Sequence, residues 1–251
     1  MDNILPFILT SIAGLSTLLG TVFIFFKISK DKLIKYALAF ASGVMISVSF
    51  NDLIPESLNY IITSISKDQS FILLIIFIFI GIIIAFTLDT IIPNKNTENK
   101  KLYRVGVFSA LAIIIHNLPE GIITYLSSTQ NLQLGIALTI AIALHNIPEG
   151  ISISVPIYSA TKSKKTAILY TLISAMAEPV GAILAFTFLQ NIINDLIMGL
   201  ILATTAGIML YIGIFELLPT SFKYKEKYKT IVFFIIGFIF MIISHILMNK
   251  F

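Results

Sequence analysis

The sequence predicts an all-α polytopic membrane protein with eight transmembrane helices, and three observations predict it. Of 251 residues, 57% are hydrophobic and only 12% charged, about half the ~25% charge of a soluble domain. Mean hydropathy is +0.96. The apolar residues fall into runs of bilayer-spanning length, roughly 20 residues each, parted by short lysine-rich connections. A soluble enzyme, a nucleic-acid binder and a disordered chain are excluded. The pI near 9.1 comes from lysine clusters between apolar runs, a sign of topology and not of a phosphate-binding face. There is no cysteine, so disulfides, thiolate ligands and Cys nucleophiles are excluded. A metal bound here must take His, carboxylate, amide, carbonyl or Met.

The eight runs are residues 4–26, 36–65, 71–92, 105–127, 134–158, 166–188, 196–218 and 231–248. The first begins after Met1-Asp2-Asn3 with no basic segment, and its apolar run is too long for a signal peptide, so it is expected to remain as a span. The connections after runs 1, 3, 5 and 7 carry 15 of the 17 basic residues, whereas the opposite side keeps only Lys67 and Lys250. The positive-inside rule then places those four connections in the cytoplasm and both termini outside. No connection is long enough for a separate domain, so residues 1–251 read as a single transmembrane domain.

Ionisable groups are costly inside a bilayer, yet His116, Glu120, His145, Glu149 and Glu178 lie deep in runs 4, 5 and 6. His116 is 12 residues after Arg104, His145 12 after Gln133 and Glu178 13 after Lys165. At about 1.5 Å per residue, each is roughly 18 to 20 Å from its span's start, near the midplane. Run 4 reads His116-Asn117-Leu118-Pro119-Glu120-Gly121 and run 5 His145-Asn146-Ile147-Pro148-Glu149-Gly150, 29 residues apart. In each copy His and Glu are at i and i+4 and share a helix face. Pro119 and Pro148 release the carbonyls of Ile115 and Leu144, and Gly121 and Gly150 admit a close neighbour. Imidazole with carboxylate is coordination chemistry for Zn²⁺ and its first-row neighbours. Two His and three Glu would hold one or two divalent cations. Helix-knitting polar contacts are the alternative, and duplication of the motif argues against it.

Other positions are less defined. Asp52-Leu53-Ile54-Pro55-Glu56 echoes the pattern nearer the outer end, as a cation-attracting mouth or an interfacial helix end. Glu216, before Pro219, and Asp89 lie near the opposite end, lining an exit or simply solvated. Met45 reads as packing or as a soft ligand. His245 reads as interfacial.

At these residues the sequence resembles the ZIP (Zrt/Irt-like) metal-transporter family, closest to its short bacterial zinc-uptake branch. The two repeats carry it, with Gly43-Val44, Ala177-Glu178-Pro179-Val180-Gly181-Ala182, Ala206-Gly207-Ile208-Met209 and Glu216-Leu217-Leu218-Pro219 in support. The resemblance implies that helices 1–3 and 6–8 are inverted repeats around helices 4 and 5. It also implies a binuclear metal centre: Met45, His116, Glu120, His145 and Glu149 as one site, and Asn117, Glu120, Asn146, Glu149 and Glu178 as the other, with Glu120 and Glu149 bridging. The sequence departs from the family in having Asp52 where many relatives have His, no His in the connection after run 3, and Phe215 before Glu216.

The expected function is zinc-preferring uptake of divalent metal across the plasma membrane, with no catalytic residues. Zn²⁺ is the expected cargo, and Fe²⁺, Mn²⁺, Co²⁺ and Cd²⁺ suit the same ligands. The expected partners are divalent metal ions and the lipid bilayer, with no nucleic acid; a homodimer is compatible with the sequence. Two rivals remain: an intramembrane metalloenzyme, disfavoured by the lack of H-E-x-x-H, and a proton-coupled transporter of an organic solute.

Overall fold

The computed structural model describes residues 4–93, 97–189 and 192–248. Lys95, Lys250 and the two chain ends, which enter the expected orientation, lie outside the described residues.

Among the described residues, eight helices are long and apolar enough to cross a membrane: α1 Ile4–Phe25, α2 Lys30–Ile62, α3 Lys67–Ile91, α4 Glu98–Gln130, α5 Leu132–Thr161, α6 Lys164–Phe188, α7 Asp195–Phe222 and α8 Lys227–Leu247. Side chains cap several starts. Asn131 Oδ1 accepts from the backbone N–H of Gln133 and Leu134, Ser163 Oγ from Thr166 and Asn194 Oδ1 from Ile197. Each supplies an acceptor to first-turn N–H groups that lack one within the helix. The α5 helix ends where Lys162 turns left-handed at φ 60°.

Several helices begin earlier than the apolar runs predict, because lysines occupy their first turns. Long lysine side chains reach the membrane surface while their backbone continues the helix. Pro119 and Pro148 lie inside unbroken helices. The departures from α-helix fall elsewhere. The second half of α1, Thr17–Phe25, tightens into 3₁₀ geometry, where Thr17 and Thr21 hydroxyls donate to the carbonyls three residues back. Wide π turns occupy Ser49–Leu53 in α2 and Ile212–Leu217 in α7, each just before a proline. Such turns often mark functional positions in helices.

The α4–α5 pair forms the centre. It is flanked by α1, α2 and α6, while α8 packs on α2 and α3 on α7. The outer flanks of α3 and α8 are isoleucine and phenylalanine, mostly exposed, and suited to lipid tails. Contacts between connections sort them into two ends. Lys30 pairs with Glu98 at 3.5 Å, and buried Lys35 donates to the Lys225 carbonyl at 2.9 Å and to Glu226 at 3.0 Å. Lys229 and Lys35 hold the Glu226 carboxyl down at about 2. At the other end Thr63 donates to Asp195 at 3.3 Å. The lysine-rich connections thus gather at one end, as the charge alternation requires.

Candidate metal centre

His116 and Glu120 lie one turn apart on α4, and His145 and Glu149 occupy the same register on α5. Close packing of the two helices turns both faces toward each other. Glycine permits the approach of the flanking helices. A Cβ on Gly121 would lie 2.1 Å from the Glu178 carbonyl of α6, and one on Gly150 1.9 Å from the Thr17 carbonyl of α1. Only glycine allows backbones that near.

The carboxyl of Glu120 is central. Its Oε1 lies 3.0 Å from His145 Nε2 and 3.3 Å from His116 Nε2. His116 Nε2 also lies 2.9 Å from Glu149 Oε1. His116, Glu120 and His145 each offer one ligand atom, all within 4.8 Å of one another, and all three side chains are buried. With its amide nitrogen toward the acceptors, Asn117 donates to Glu149 Oε2 and to the Ile113 carbonyl, at 3.1 Å each. Asn146 donates to the Ala13 carbonyl at 2.9 Å and to Glu178 Oε1. Glu178 therefore joins the cluster through Asn146. Met45 is fully buried on α2, the helix that packs against α5.

Several polar atoms here are buried without a hydrogen-bond partner: His116 Nδ1, Glu120 Oε2, Asn146 Oδ1 and Glu178 Oε2. Buried polar groups are almost always bonded, and orphaned acceptors cost about 1 to 3 kcal/mol each. Imidazole and carboxylate donors that converge on one point are what a cation requires. The donor set, imidazole and carboxylate with no thiolate, fits Zn²⁺ and neighbouring divalent ions.

One side of the cluster is open. Glu120 and His145 line a cavity of about 740 Å³ shared with Asp52, Glu56, Gln133 and His245. Its rim includes Asn59 and Asn131, next to the lysine-poor connections. Asp52 and His245 face each other across it through Oδ1 and Nδ1. At the lysine-rich end, two cavities of about 490 and 400 Å³ are lined by residues of α4 no deeper than Val107, and neither touches the cluster. Buried Phe108, Ala112 and Ile113 stand between.

Two contacts are not legible in the sequence. The sequence marks His245 only as interfacial, and in the structure it pairs with Asp52, 193 residues away. Arg104 reads from the sequence only as a topology charge. Its guanidinium donates to Asp89 Oδ1, to the Asp89 carbonyl at 2.8 Å, to the Ile92 carbonyl at 3.4 Å and to Glu216 Oε1 at 3.4 Å. Asp89 and Glu216 are thus held by an ion pair, where helix-end solvation was the alternative. The separation of 112 residues between Arg104 and Glu216 leaves no local signal.

Comparison with known proteins bears on this arrangement. The family model described as ZIP zinc transporter matches residues 94–245. The zinc transporter ZupT of Chlorobaculum parvum is 41% identical over 266 residues, covering 98% of this chain and 98% of its own. ZupT of Clostridium perfringens is 39% identical, covering 98% and 97%, and that of Oceanobacillus iheyensis is 40% identical, covering 99% and 100%. The likeness runs through every helix that builds the cluster, and the chain belongs to the ZIP zinc transporter family.

Proposed function

We propose that this protein is one transmembrane domain that carries zinc, in preference to other divalent ions, into the cell across the plasma membrane. The observation that carries this reading is the buried His116–Glu120–His145 cluster, open through one cavity to the lysine-poor end. By the positive-inside rule that end, with both termini, faces outside, so the conformation is outward-facing. The full-length relatives named as zinc transporters support zinc as the cargo.

The metal enters the cavity as a hydrated ion. It exchanges water for Glu120 and His145 first, since these line the cavity, and then for His116 and Glu149 behind them. The i, i+4 spacing on two facing helices sets both His–Glu pairs around one point. Met45 completes the first position from α2. Asn117, Asn146 and Glu178 complete a second position, with Glu120 and Glu149 shared by both. Carboxylates offset the cation's charge, and the neutral imidazoles fix its geometry. Release needs the apolar barrier of Phe108, Ala112 and Ile113 to part while the outer cavity closes.

The metalloenzyme reading is set aside because the relatives are named as transporters and because the sequence has no H-E-x-x-H, whose Glu would act as general base. Purified protein in proteoliposomes tests the proposal against the solute rival. Zn²⁺ influx should exceed that of Fe²⁺, Mn²⁺, Co²⁺ and Cd²⁺ and stop on chelation. Solute flux that persists under chelation, with no metal flux, would reject it.

A further inference from the structure

The close helix contacts reveal a two-fold pattern in this chain. Extra Cβ atoms on Gly43 and Gly207 would meet the carbonyls of Phe234 and Ile78, both at 2.1 Å. Those on Gly237 and Gly81 would meet the carbonyls of Phe40 and Thr204, at 2.2 and 2.0 Å. Going from α2 to α7 adds 164 to both Phe40 and Gly43, giving Thr204 and Gly207; going from α8 to α3 subtracts 156 from both Phe234 and Gly237. The centre obeys the same relation. Gly121 meets the Glu178 carbonyl as Gly150 meets that of Thr17, and Gly181 meets that of Leu118 as Gly20 meets that of Ile147. Inverted repeats around a midplane site are a general transporter design.

The same offsets relate the two mouths. The π turn before Pro219 in α7, which carries Glu216, corresponds to the one before Pro55 in α2, which carries Asp52. Asp89 on α3 corresponds to His245 on α8, and Arg104 on α4 to Gln133 on α5, 29 residues on. At the lysine-rich end Arg104 ties α4 to Asp89 and Glu216, and Tyr211 donates to Asp89 Oδ2 at 3.2 Å. Arg104, Asp89 and Glu216 are all largely buried. The two cavities described at that end do not reach the metal cluster. At the other end Asp52 and His245 already touch, but Gln133 lines the open cavity between them and the cluster.

We propose that Arg104 and Gln133 are paired latches of the transport cycle. In this outward-facing structure Arg104 clamps Asp89 and Glu216 and holds the inner end shut. In the inward-facing state the clamp releases and Gln133 closes onto Asp52 and His245. A glutamine suits that pair, because its amide donates to the Asp52 carboxylate. It forms weaker bonds than a guanidinium does with two carboxylates, so the resting balance favours the outward state. Arg104 and Gln133 act as positioning residues and touch no cargo.

The proposal rests on the uptake reading, but its test needs no zinc. The chain has no cysteine, so a single introduced thiol reports access. Ala141 lines the outer cavity, and its counterpart 29 residues earlier, Ala112, is fully buried. Ala141→Cys and Ala112→Cys would be labelled with a membrane-impermeant maleimide from the lysine-poor and lysine-rich sides respectively. Arg104→Gln should raise Ala112→Cys labelling about tenfold, as loss of one charge-assisted hydrogen bond would shift an equilibrium, and lower Ala141→Cys labelling. Gln133→Arg, which builds the inner clamp at the outer mouth, should move both reporters in the same two directions. No change in either reporter, or a rise in both together, would overturn the proposal and leave Arg104 as a structural tie. If Arg104→Gln does not fold, Gln133→Arg decides alone, since it adds an interaction instead of removing one.

Discussion

Glu120 is the residue on which the site turns, because it lies against both imidazoles. Glu178 is more peripheral: it reaches the cluster through Asn146. This difference predicts separable metal positions. Glu178→Ala should lower bound zinc from about two ions per chain toward about one, since a zinc position with only about four ligands tolerates loss of one poorly. His116→Ala should empty the first position and abolish flux. Metal content and flux measured on the same preparation check both, and loss of both ions in Glu178→Ala would contradict the division. At this scale the sequence was most legible where chemistry is local. The two H-N-x-P-E-G segments reveal their His and Glu by helical spacing alone. Arg104 and His245 were opaque, because their partners come from other helices and a lone basic residue near a helix end is usually a topology signal.

The helices themselves were legible from hydropathy, since each must hide about 20 residues of backbone from lipid. Their ends were read several residues short wherever lysines fill the first turn. The 3₁₀ half of α1 and the π turns of α2 and α7 were invisible, because neither changes the hydrophobic pattern. Glycines gave more. Gly121 and Gly150 were expected to admit a neighbour, and the structure seats the Glu178 and Thr17 backbones on them. A single methyl should therefore force helices apart. Gly150→Ala should lower the melting temperature in detergent, with a cost of about 1 to 3 kcal/mol as for other overpacked sites. An unchanged melting temperature would mean that the α1–α5 contact is looser than the 1.9 Å approach implies.

For the whole molecule, the charge alternation anticipated which connections share an end, and the Lys30–Glu98 and Lys35–Glu226 contacts agree. Reporter tags at Lys100, Lys164 and Lys225 should therefore be cytoplasmic and one at Asn131 external; Lys100 and Asn131 on the same side would contradict the orientation. Which end is open was not legible, because it depends on how eight helices lean and not on what each contains. The cavity that reaches Glu120 and His145 from the lysine-poor end, and the buried barrier beneath them, belong to the assembled bundle alone. The central claim is that zinc crosses by way of this His–Glu cluster. Its most direct test is zinc influx into proteoliposomes holding Glu120→Gln or Glu149→Gln, which keep side-chain size but remove the charge. The account predicts that influx falls to near the protein-free background in both variants while the protein remains folded. Influx close to the unmodified protein's in both would contradict it.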